Sequence, residues 1–541
     1  MHGLMMNQPL LISSQLEFAQ RFHSSVEVVT RTVEGPVVRT TWGHVAQRVK
    51  KLANALVAAG IKQGDVVATL AWNTQRHLEL YFAVSGIGAV LHTINPRLPP
   101  DQLAFIVNHA GDTMLCFDTT FLPLAKHLAS VPTPITHWLA LTDDENLPKD
   151  HPIVGLRSYE SFIHGHADTF SWPALDENTA SSLCYTSGTV GVPKGVLYSH
   201  RSTVLHSYAI ATVDALAISA QDVTLPVVPM FHVNAWGVPY AAAMVGSKLV
   251  LPGPALDGKS LLELIEHEQV TSALGVPTVW LGLLGAAKAA GKKMSTLRKV
   301  TIGGSACPPS MITAFQEEHG ARVLHAWGMT ELSPLGTACV LLPKHAELTA
   351  EGKLHVQLKQ GRPIFGVDLR LVDDNGDVLP HDGKTSGHLQ TRGLWVASQY
   401  FRSEDLSQHQ DGWFFTGDIA TIDPDGYMQI TDRSKDVIKS GGEWVSSIDV
   451  EHAAMLHPAV AQAACIGVAH EKWYERPLLI VVKAKDIDVT KDQLLAFLAQ
   501  KLVKWWVPDA IEFVDALPIG PTGKVLKRAL REKFANYKLP A

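Results

Sequence analysis

Hydrophobic and polar positions in this chain follow two alternating rhythms. Val45, Val49, Leu52 and Leu56, with Val57 beside them, recur at helical spacing behind Thr41, a helix-capping residue type, and predict a helix over 41–60. Residues 65–71 form a near-continuous apolar run and predict a strand. A helix is predicted around 77–86 and another strand over 89–94, ended by Asn95-Pro96. Further strand-like runs fall at 113–117, 138–141, 224–229, 248–251, 273–276 and 299–303. Strands alternating with helices in this way predict parallel sheets whose faces are covered by helices.

Past Gly361 the segments shorten and turn signals crowd in. Residues 367–372 and 387–391 read as strands on either side of Asp374-Asn-Gly376, and Asp423-Pro-Asp-Gly426 predicts a hairpin between 419–422 and 427–431. The rest of the chain reads as a separate unit. Strands at 460–468, 478–484 and 511–514 accompany a helix that opens on Thr490-Lys-Asp-Gln493, a capping box, and carries Leu494, Leu498 and Leu502 on one face. The expected fold is α/β: a large N-terminal domain over 1–432, of helix-covered, mostly parallel sheets with a β-rich subdomain over 361–432. A small α+β C-terminal domain follows over 437–541.

Composition narrows the class. Of 541 residues, 46% are hydrophobic and 18% charged, the balance of a soluble globular protein with large cores. The net charge of −6 gives no reason to expect a nucleic-acid partner. Five cysteines, at positions 116, 184, 307, 339 and 465, form no CxxC pair, and no His cluster stands at zinc spacing. A disulfide framework or structural metal is therefore not expected, and a reducing cytoplasm suits the chain better. The first twenty residues hold no Lys or Arg, so the basic start of a signal peptide is missing. Apolar stretches such as 80–94 fall short of the roughly 20 residues a membrane-spanning helix needs, and no span is expected.

One stretch stands apart chemically: Tyr185-Thr-Ser-Gly-Thr-Val-Gly-Val-Pro-Lys-Gly195 holds three glycines, four hydroxyl side chains, one lysine and no acid. It follows an apolar run that reads as a buried strand and precedes another. A glycine-rich turn leaving a strand presents backbone N–H groups inward, and such a nest binds anions. With the hydroxyls of Thr186, Ser187 and Thr189 and the charge of Lys194, the inventory suits a polyphosphate. It is not a Walker loop, because no Gly-Lys-Ser/Thr closes it and Pro193 would break a helix there. The competing reading is an ordinary hairpin with glycines at its turn.

Four other stretches follow this loop in order: Ala326-Trp-Gly-Met-Thr-Glu331, Phe415-Thr-Gly-Asp418, Asp432-Arg-Ser-Lys-Asp-Val-Ile-Lys-Ser-Gly-Gly-Glu443 and Pro521-Thr-Gly-Lys524. Together the five resemble the motifs of the adenylate-forming superfamily of acyl-CoA synthetases, luciferases and peptide-synthetase adenylation domains, over nearly the whole chain. Trp327 stands where that family usually has tyrosine. The resemblance implies ATP, Mg2+ and CoA as small-molecule reactants beside a carboxylate, and relatives of this kind are often homodimers.

The roles implied for individual residues agree with the chemistry. A carboxylate must attack the α-phosphorus of ATP, and two anions about 3.5 Å apart at an effective dielectric near 20 repel by roughly 5 kcal/mol. Lys524 is the candidate cation between them. Glu331 offers a hard oxygen to Mg2+, and Thr330 a donor to the α-phosphate. Asp418 is suited to accept from both ribose hydroxyls, with Arg433 adding a ribose or phosphate contact. Thr186, Ser187, Gly188, Thr189 and Lys194 form the phosphate loop, and Gly304, Ser305, Ala326, Trp327 and Gly328 complete the nucleotide site. For the thioester step, Lys435 falls at the hinge, 433–436, about which the family's small domain rotates. Gly441 and Gly442 allow close approach of pantetheine, Glu443 and Trp444 adjoin them, and Lys439, Arg476 and Lys527 are the basic candidates for CoA phosphates.

The acyl pocket is expected from Trp236, Gly303, Gly304 and Pro334, with His232 in the catalytic set. Pro229-Met-Phe-His-Val-Asn-Ala-Trp236 has His232 where amino-acid-activating relatives have an Asp, which disfavours α-amino acids. His92-Thr-Ile-Asn-Pro-Arg-Leu98, Ser440-Gly-Gly-Glu-Trp-Val-Ser-Ser447 and Lys472-Trp-Tyr-Glu-Arg-Pro477 resemble the bacterial medium- and long-chain fatty acyl-CoA synthetase branch, which includes 3-methylmercaptopropionate-CoA ligases. The expected activity is AMP-forming acyl-CoA ligation of a short or medium apolar acid. The alternatives are a longer-chain synthetase, a luciferase-like oxygenase, and a non-catalytic nucleotide sensor.

Overall fold

The computed structural model describes every residue except 2, 187–192, 434–435, 441–442, 471, 486, 521–524 and 540–541, and describes Glu443 and Trp444 by backbone only. Ser187, Gly188, Thr189, Lys435, Gly441, Gly442 and Lys524 therefore lie outside the described residues.

Two helix-covered sheets make up most of the large N-terminal part. One has seven strands in the order Arg157–Ser158, His137–Ala140, Asp112–Phe117, Val66–Leu70, Val90–Thr93, Ala180–Tyr185, Gly195–Ser199. Its neighbours are parallel until the last pair, which is antiparallel. The other has nine, from Val37–Thr41 through Glu27–Arg31, Lys248–Leu251, Val223–Pro226, Ser272–Gly275, Lys299–Ile302, Arg322–Gly328 and Leu335–Ala338 to Arg362–Pro363. It is parallel from Glu27–Arg31 to Arg322–Gly328, with antiparallel strands at both ends. Helices on both faces explain the unbroken apolar runs: Val66–Leu70 is buried at every position.

Local chemistry starts the helices where the pattern predicts. The Thr41 side chain accepts from His44 N at 3.3 Å, and the helix Trp42–Ala58 buries Val45, Val49, Leu52 and Leu56 completely. Val57 departs from expectation and is 51% exposed, because one step past Leu56 turns a side chain by a quarter-turn or more off the apolar stripe.

The loop expected to bind an anion joins Ala180–Tyr185 to Gly195–Ser199, which pair antiparallel with Tyr185 opposite Gly195. The hairpin reading is thus geometrically right, and it does not compete with the functional one: the anion loop is the hairpin's connection.

A five-stranded antiparallel sheet follows, from Val367–Val372 through Gly387–Gly393 and Trp413–Ile422 to His409–Gln410, with Met428–Arg433 also on Trp413–Ile422. The small C-terminal part is a mixed sheet. Glu443–Val445, Ile438–Ser440, Tyr474–Lys483 and Val460–His470 are antiparallel in that order, and Ala510–Phe513 lies parallel to Tyr474–Lys483. Its helix Lys491–Lys501 opens on the Thr490/Gln493 capping box and buries Leu494 and Leu498; Leu502 lies just past its end. Among the described residues no helix is long and apolar enough to cross a membrane, and all five cysteines are free and buried.

Candidate active site

The expected site residues gather just beyond the carboxyl ends of parallel strands, where open α/β sheets bind ligands. Thr186 follows Ala180–Tyr185, the segment from Pro229 to Trp236 follows Val223–Pro226, Gly303 to Ser305 follow Lys299–Ile302, and Thr330 to Pro334 follow Arg322–Gly328. Side chains link these segments across the two sheets, Tyr198 to Thr330 and Asn234 to Ser182.

The neck of the phosphate loop is closed by its own ends. Thr186 N donates to Lys194 O at 2.9 Å, and Lys194 N donates to Thr186 Oγ1 at 3.2 Å. Lys194 Nζ donates to Gln408 Oε1 at 3.2 Å and lies 4.5 Å from the centre of the Tyr400 ring. This ammonium meets a neutral amide and an aromatic face, and the Asp405 carboxylate also feels its charge; it offers a cation to an anion.

Thr330 and Glu331 are both buried. Burial raises the Glu331 carboxyl above its ordinary range, and a hydrogen bond from the Tyr400 hydroxyl to Oε1, at 2.6 Å, works against that rise. Tyr198 donates to Thr330 O at 2.6 Å, which fixes the same loop from the hairpin side. Glu331 is the described residue whose chemistry fits the Mg2+ that ATP carries: a hard oxygen donor held in place before nucleotide arrives.

Asp418 and Arg433 are cross-strand partners. Asp418 is 1% exposed, and its Oδ1 lies 2.7 Å from Arg433 Nε in an ion pair. Among the described residues no donor hydrogen is aimed well at that oxygen, which leaves it suited to accept from hydroxyl groups. Its other oxygen, Oδ2, accepts from Trp327 Nε1 at 3.1 Å.

The acyl side holds an unforeseen feature. Val233, Asn234, Ala235 and Trp236 all have positive φ, between 45° and 57°, forming one left-handed turn without glycine. Such backbone costs about 1–2 kcal/mol per residue, and strain of this kind concentrates at functional sites. Asn234 holds the turn: its Nδ2 donates to Ser182 Oγ at 2.8 Å, and Oδ1 faces the Thr93 hydroxyl at 3.5 Å and the Cys184 thiol at 3.6 Å. Trp236, half-buried, packs so closely on Gly303 that a Cβ there would sit 3.1 Å from the indole. His232 precedes the turn and is half-buried, its N–H on Pro229 O at 3.1 Å. Pro334, also buried, accepts from Met329 N at 3.1 Å, and the next residue, Leu335, donates its N–H to His206 Nε2 at 3.2 Å.

Two of the basic candidates for CoA phosphates have protein partners in this structure. Arg476 is 6% exposed; it forks onto Asp509, with contacts of 2.7–3.0 Å, and donates to Ser440 Oγ and to the carbonyls of Trp505 and Val507. Lys527, its side chain 13% exposed, pairs with Glu451 at 2.7 Å and also meets Ser447 Oγ. Both cations serve the interior of the small C-terminal part, while Lys439 is exposed. The flanks of 521–524 are described: Ile519 bridges Val525, and Leu526 N donates to Pro518 O at 2.8 Å.

Sequence reasoning passed over Asn73, Tyr198, Asn234 and Tyr400. Asn73 Nδ2 donates to the carbonyls of Pro226 and Val228 and its Oδ1 accepts from Met230 N, fixing the entry to the acyl segment from the other sheet. Its position at a strand end was the available signal, and Asn234 stood inside the 229–236 segment; no motif or periodicity marks Tyr198 or Tyr400.

Buried Asp418, buried Glu331 and Lys194 are tied together through Trp327 and Tyr400. Taken with the family match, this arrangement belongs to an adenylate-forming enzyme. The AMP-binding enzyme family model matches residues 17–401 and its C-terminal domain model matches 449–524, and the chain belongs to this family. It is 54% identical over 536 residues to a 3-methylmercaptopropionyl-CoA ligase of Ruegeria lacuscaerulensis, covering 99% of both chains. It is 52% identical over 540 residues to a medium-chain-fatty-acid–CoA ligase of Ectopseudomonas oleovorans, covering 100% of this chain and 98% of that one. Among solved structures, an anthranilate CoA ligase, AuaEII, in complex with anthranoyl-AMP superposes with a TM-score of 0.87 at 25% identity, covering 98% of each chain.

Proposed function

We propose that this AMP-forming acyl-CoA ligase activates a short or medium apolar carboxylate, from butyrate to octanoate, with 3-(methylthio)propionate among its substrates. The observation that carries the reading is the close packing of Trp236 on Gly303, which walls the acyl site with an indole. The named activities of the relatives at 52–54% identity support it. A thioether resembles a methylene in size and polarity, and one methylene is worth only about 1–3 kcal/mol of discrimination, so one pocket accommodates both acids.

In the first step the carboxylate attacks the α-phosphorus of MgATP and the bond to pyrophosphate breaks, giving the acyl-adenylate. Lys194 and the loop closed by Thr186 hold the β- and γ-phosphates, Thr330 donates to the α-phosphate, Glu331 takes the Mg2+ arriving with ATP, and Asp418 with Arg433 holds the ribose. The role of the cation between carboxylate and α-phosphate falls to Lys524. In the second step the CoA thiol attacks the acyl carbonyl and AMP leaves, after the part over 437–541 has turned about Lys435. Lys439 meets the CoA phosphates, with Gly441 and Gly442 along the pantetheine. The enzyme works as a homodimer in the cytoplasm.

The test is hydroxamate trapping with ATP and a panel of acids from acetate to decanoate, plus methylthiopropionate, on the wild type and Lys524→Ala. The highest kcat/KM is expected between four and eight chain atoms. Adenylation should fall by orders of magnitude in Lys524→Ala while ATP still binds. A maximum at decanoate would favour the long-chain alternative, and no hydroxamate with any acid would leave the nucleotide sensor.

A further inference from the structure

Residues 395–402 form a strap across the active site. Trp395 Nε1 donates to Leu335 O at 2.9 Å, and Ser333 Oγ donates back to Trp395 O at 2.9 Å. Ala397 N donates to Glu331 O at 2.8 Å. At its far end Phe401 N donates to Gly195 O at 2.8 Å, and Arg402 donates to His109 O at 2.6 Å. One segment thus ties the Glu331 loop to the closing end of the phosphate loop. Between the two ties sits Tyr400, 4% exposed, its hydroxyl 2.6 Å from Glu331 Oε1 and its ring 4.5 Å from Lys194 Nζ. His409 and Phe414 pack edge-on to that ring, at 5.5 and 6.4 Å, and restrain it.

We propose that Tyr400 is a positioning residue for the nucleotide, its hydroxyl aiming Glu331 and its ring carrying Lys194, so that both groups meet the same triphosphate. This rests on the reading above, in which Glu331 serves the metal-bound phosphates and Lys194 the phosphate tail. A buried carboxylate has given up its hydration, and a short hydrogen bond to a charged acceptor fixes its rotamer. An ammonium held over an aromatic face keeps its charge and its N–H donors for phosphate, with the Asp405 carboxylate acting on it electrostatically.

The two functions of the ring and the hydroxyl separate in Tyr400→Phe and Tyr400→Ala, compared with Glu331→Gln and the Tyr400→Phe/Glu331→Gln double variant. Hydroxamate formation is measured against ATP and Mg2+, and binding by the rise in melting temperature with ATP in EDTA. Tyr400→Phe should lower kcat for adenylation about ten- to a hundredfold and raise the Mg2+ needed for half-maximal rate. Its ATP-induced melting shift in EDTA should match wild type, because Lys194 keeps its ring. Tyr400→Ala should lose that shift too; if it does not fold, the isosteric Phe variant still decides. In the Glu331→Gln background, Tyr400→Phe should cost nothing more. Wild-type kinetics in Tyr400→Phe beside an impaired Glu331→Gln would overturn the proposal, as would equal losses in both backgrounds. Wild-type kinetics in Glu331→Gln would instead overturn the site reading, and the Tyr400 proposal with it.

Discussion

The indole of Trp327 donates to Asp418 across 3.1 Å, joining the last parallel-type strand of the nine-stranded sheet to the antiparallel sheet that follows it. The same ring covers Gly336 so closely that any side chain there would run into it. The substitution of the family's usual tyrosine is matched by its surroundings: the indole N–H meets the buried carboxylate, and a glycine makes room for the wider ring.

Trp327→Phe should keep the packing on Gly336 and remove the donor. Asp418 is expected to hold the ribose equally in ground and transition states, so KM for ATP should rise about three- to tenfold with kcat little changed. Initial rates of ATP–pyrophosphate exchange give both constants. A fall in kcat at unchanged KM would mean that Asp418 acts on the reacting phosphate and not on the ribose.

The left-handed turn at 233–236 separates backbone strain from pocket shape. Trp236→Ala and Trp236→Gly both remove the indole from Gly303, and both should shift acid preference toward longer chains. They differ in the backbone, since position 236 has φ 57°, where glycine is unstrained and alanine is not. Trp236→Gly should therefore be the more stable of the two by about 1 kcal/mol. Identical melting temperatures would show that the turn relaxes once the indole is gone, and an unchanged acid profile would make Trp236 part of the core.

Asp118 supplies a pH test away from the site. It is 1% exposed, with Oδ2 accepting from Trp72 N at 2.7 Å, and burial pushes its carboxyl up to about 7 against the lowering effects of that N–H and of Arg76. Between its ordinary 3.8 and that value the folded state keeps a proton the unfolded state has released. Its contribution to stability is thus greatest below the unfolded value and is lost as pH rises through 7. Asp118→Asn keeps an acceptor for Trp72 and cannot ionise. From pH 5 to pH 8 the variant should gain on wild type by about 2–4 kcal/mol. Denaturation midpoints of both proteins at the two pH values check this, and parallel pH slopes would contradict it.

What could be read from the residues alone was local or periodic. Thr41 and Thr490 cap the helices they were expected to cap, and most apolar runs are strands within a residue or two of their predicted limits. Those expected at 419–422 and 478–484 start several residues earlier, and that at 224–229 ends at Pro226. Relationships between distant positions were not legible. Nothing near Glu331 points to Tyr400, 69 residues on, and nothing near Asp418 points to Trp327. Val233 to Trp236 carries no glycine or proline to announce reversed handedness; tertiary anchoring through Asn234 decides it. Arg476 and Lys527 read as surface cations because lysine and arginine usually are, and only the fold brings Asp509 and Glu451 to them.

Lys527 permits a last, decisive comparison. Burial works against its charge, but Glu451 beside it holds the ammonium above its ordinary range, and Glu451 also accepts from Cys465 N at 2.7 Å. Lys527→Met leaves that carboxylate buried without a cation and should cost about 3–5 kcal/mol, read as a fall in the urea midpoint. Adding Glu451→Gln removes the charge, retains an acceptor for Cys465, and should restore most of the loss. The stable double variant then isolates any role toward CoA. With Lys527 purely internal, KM for CoA should stay within about twofold of wild type, since a lost phosphate contact would cost a charge-assisted hydrogen bond. A rise of tenfold or more in that stable background would return Lys527 to the CoA site and show that the ion pair with Glu451 opens during turnover.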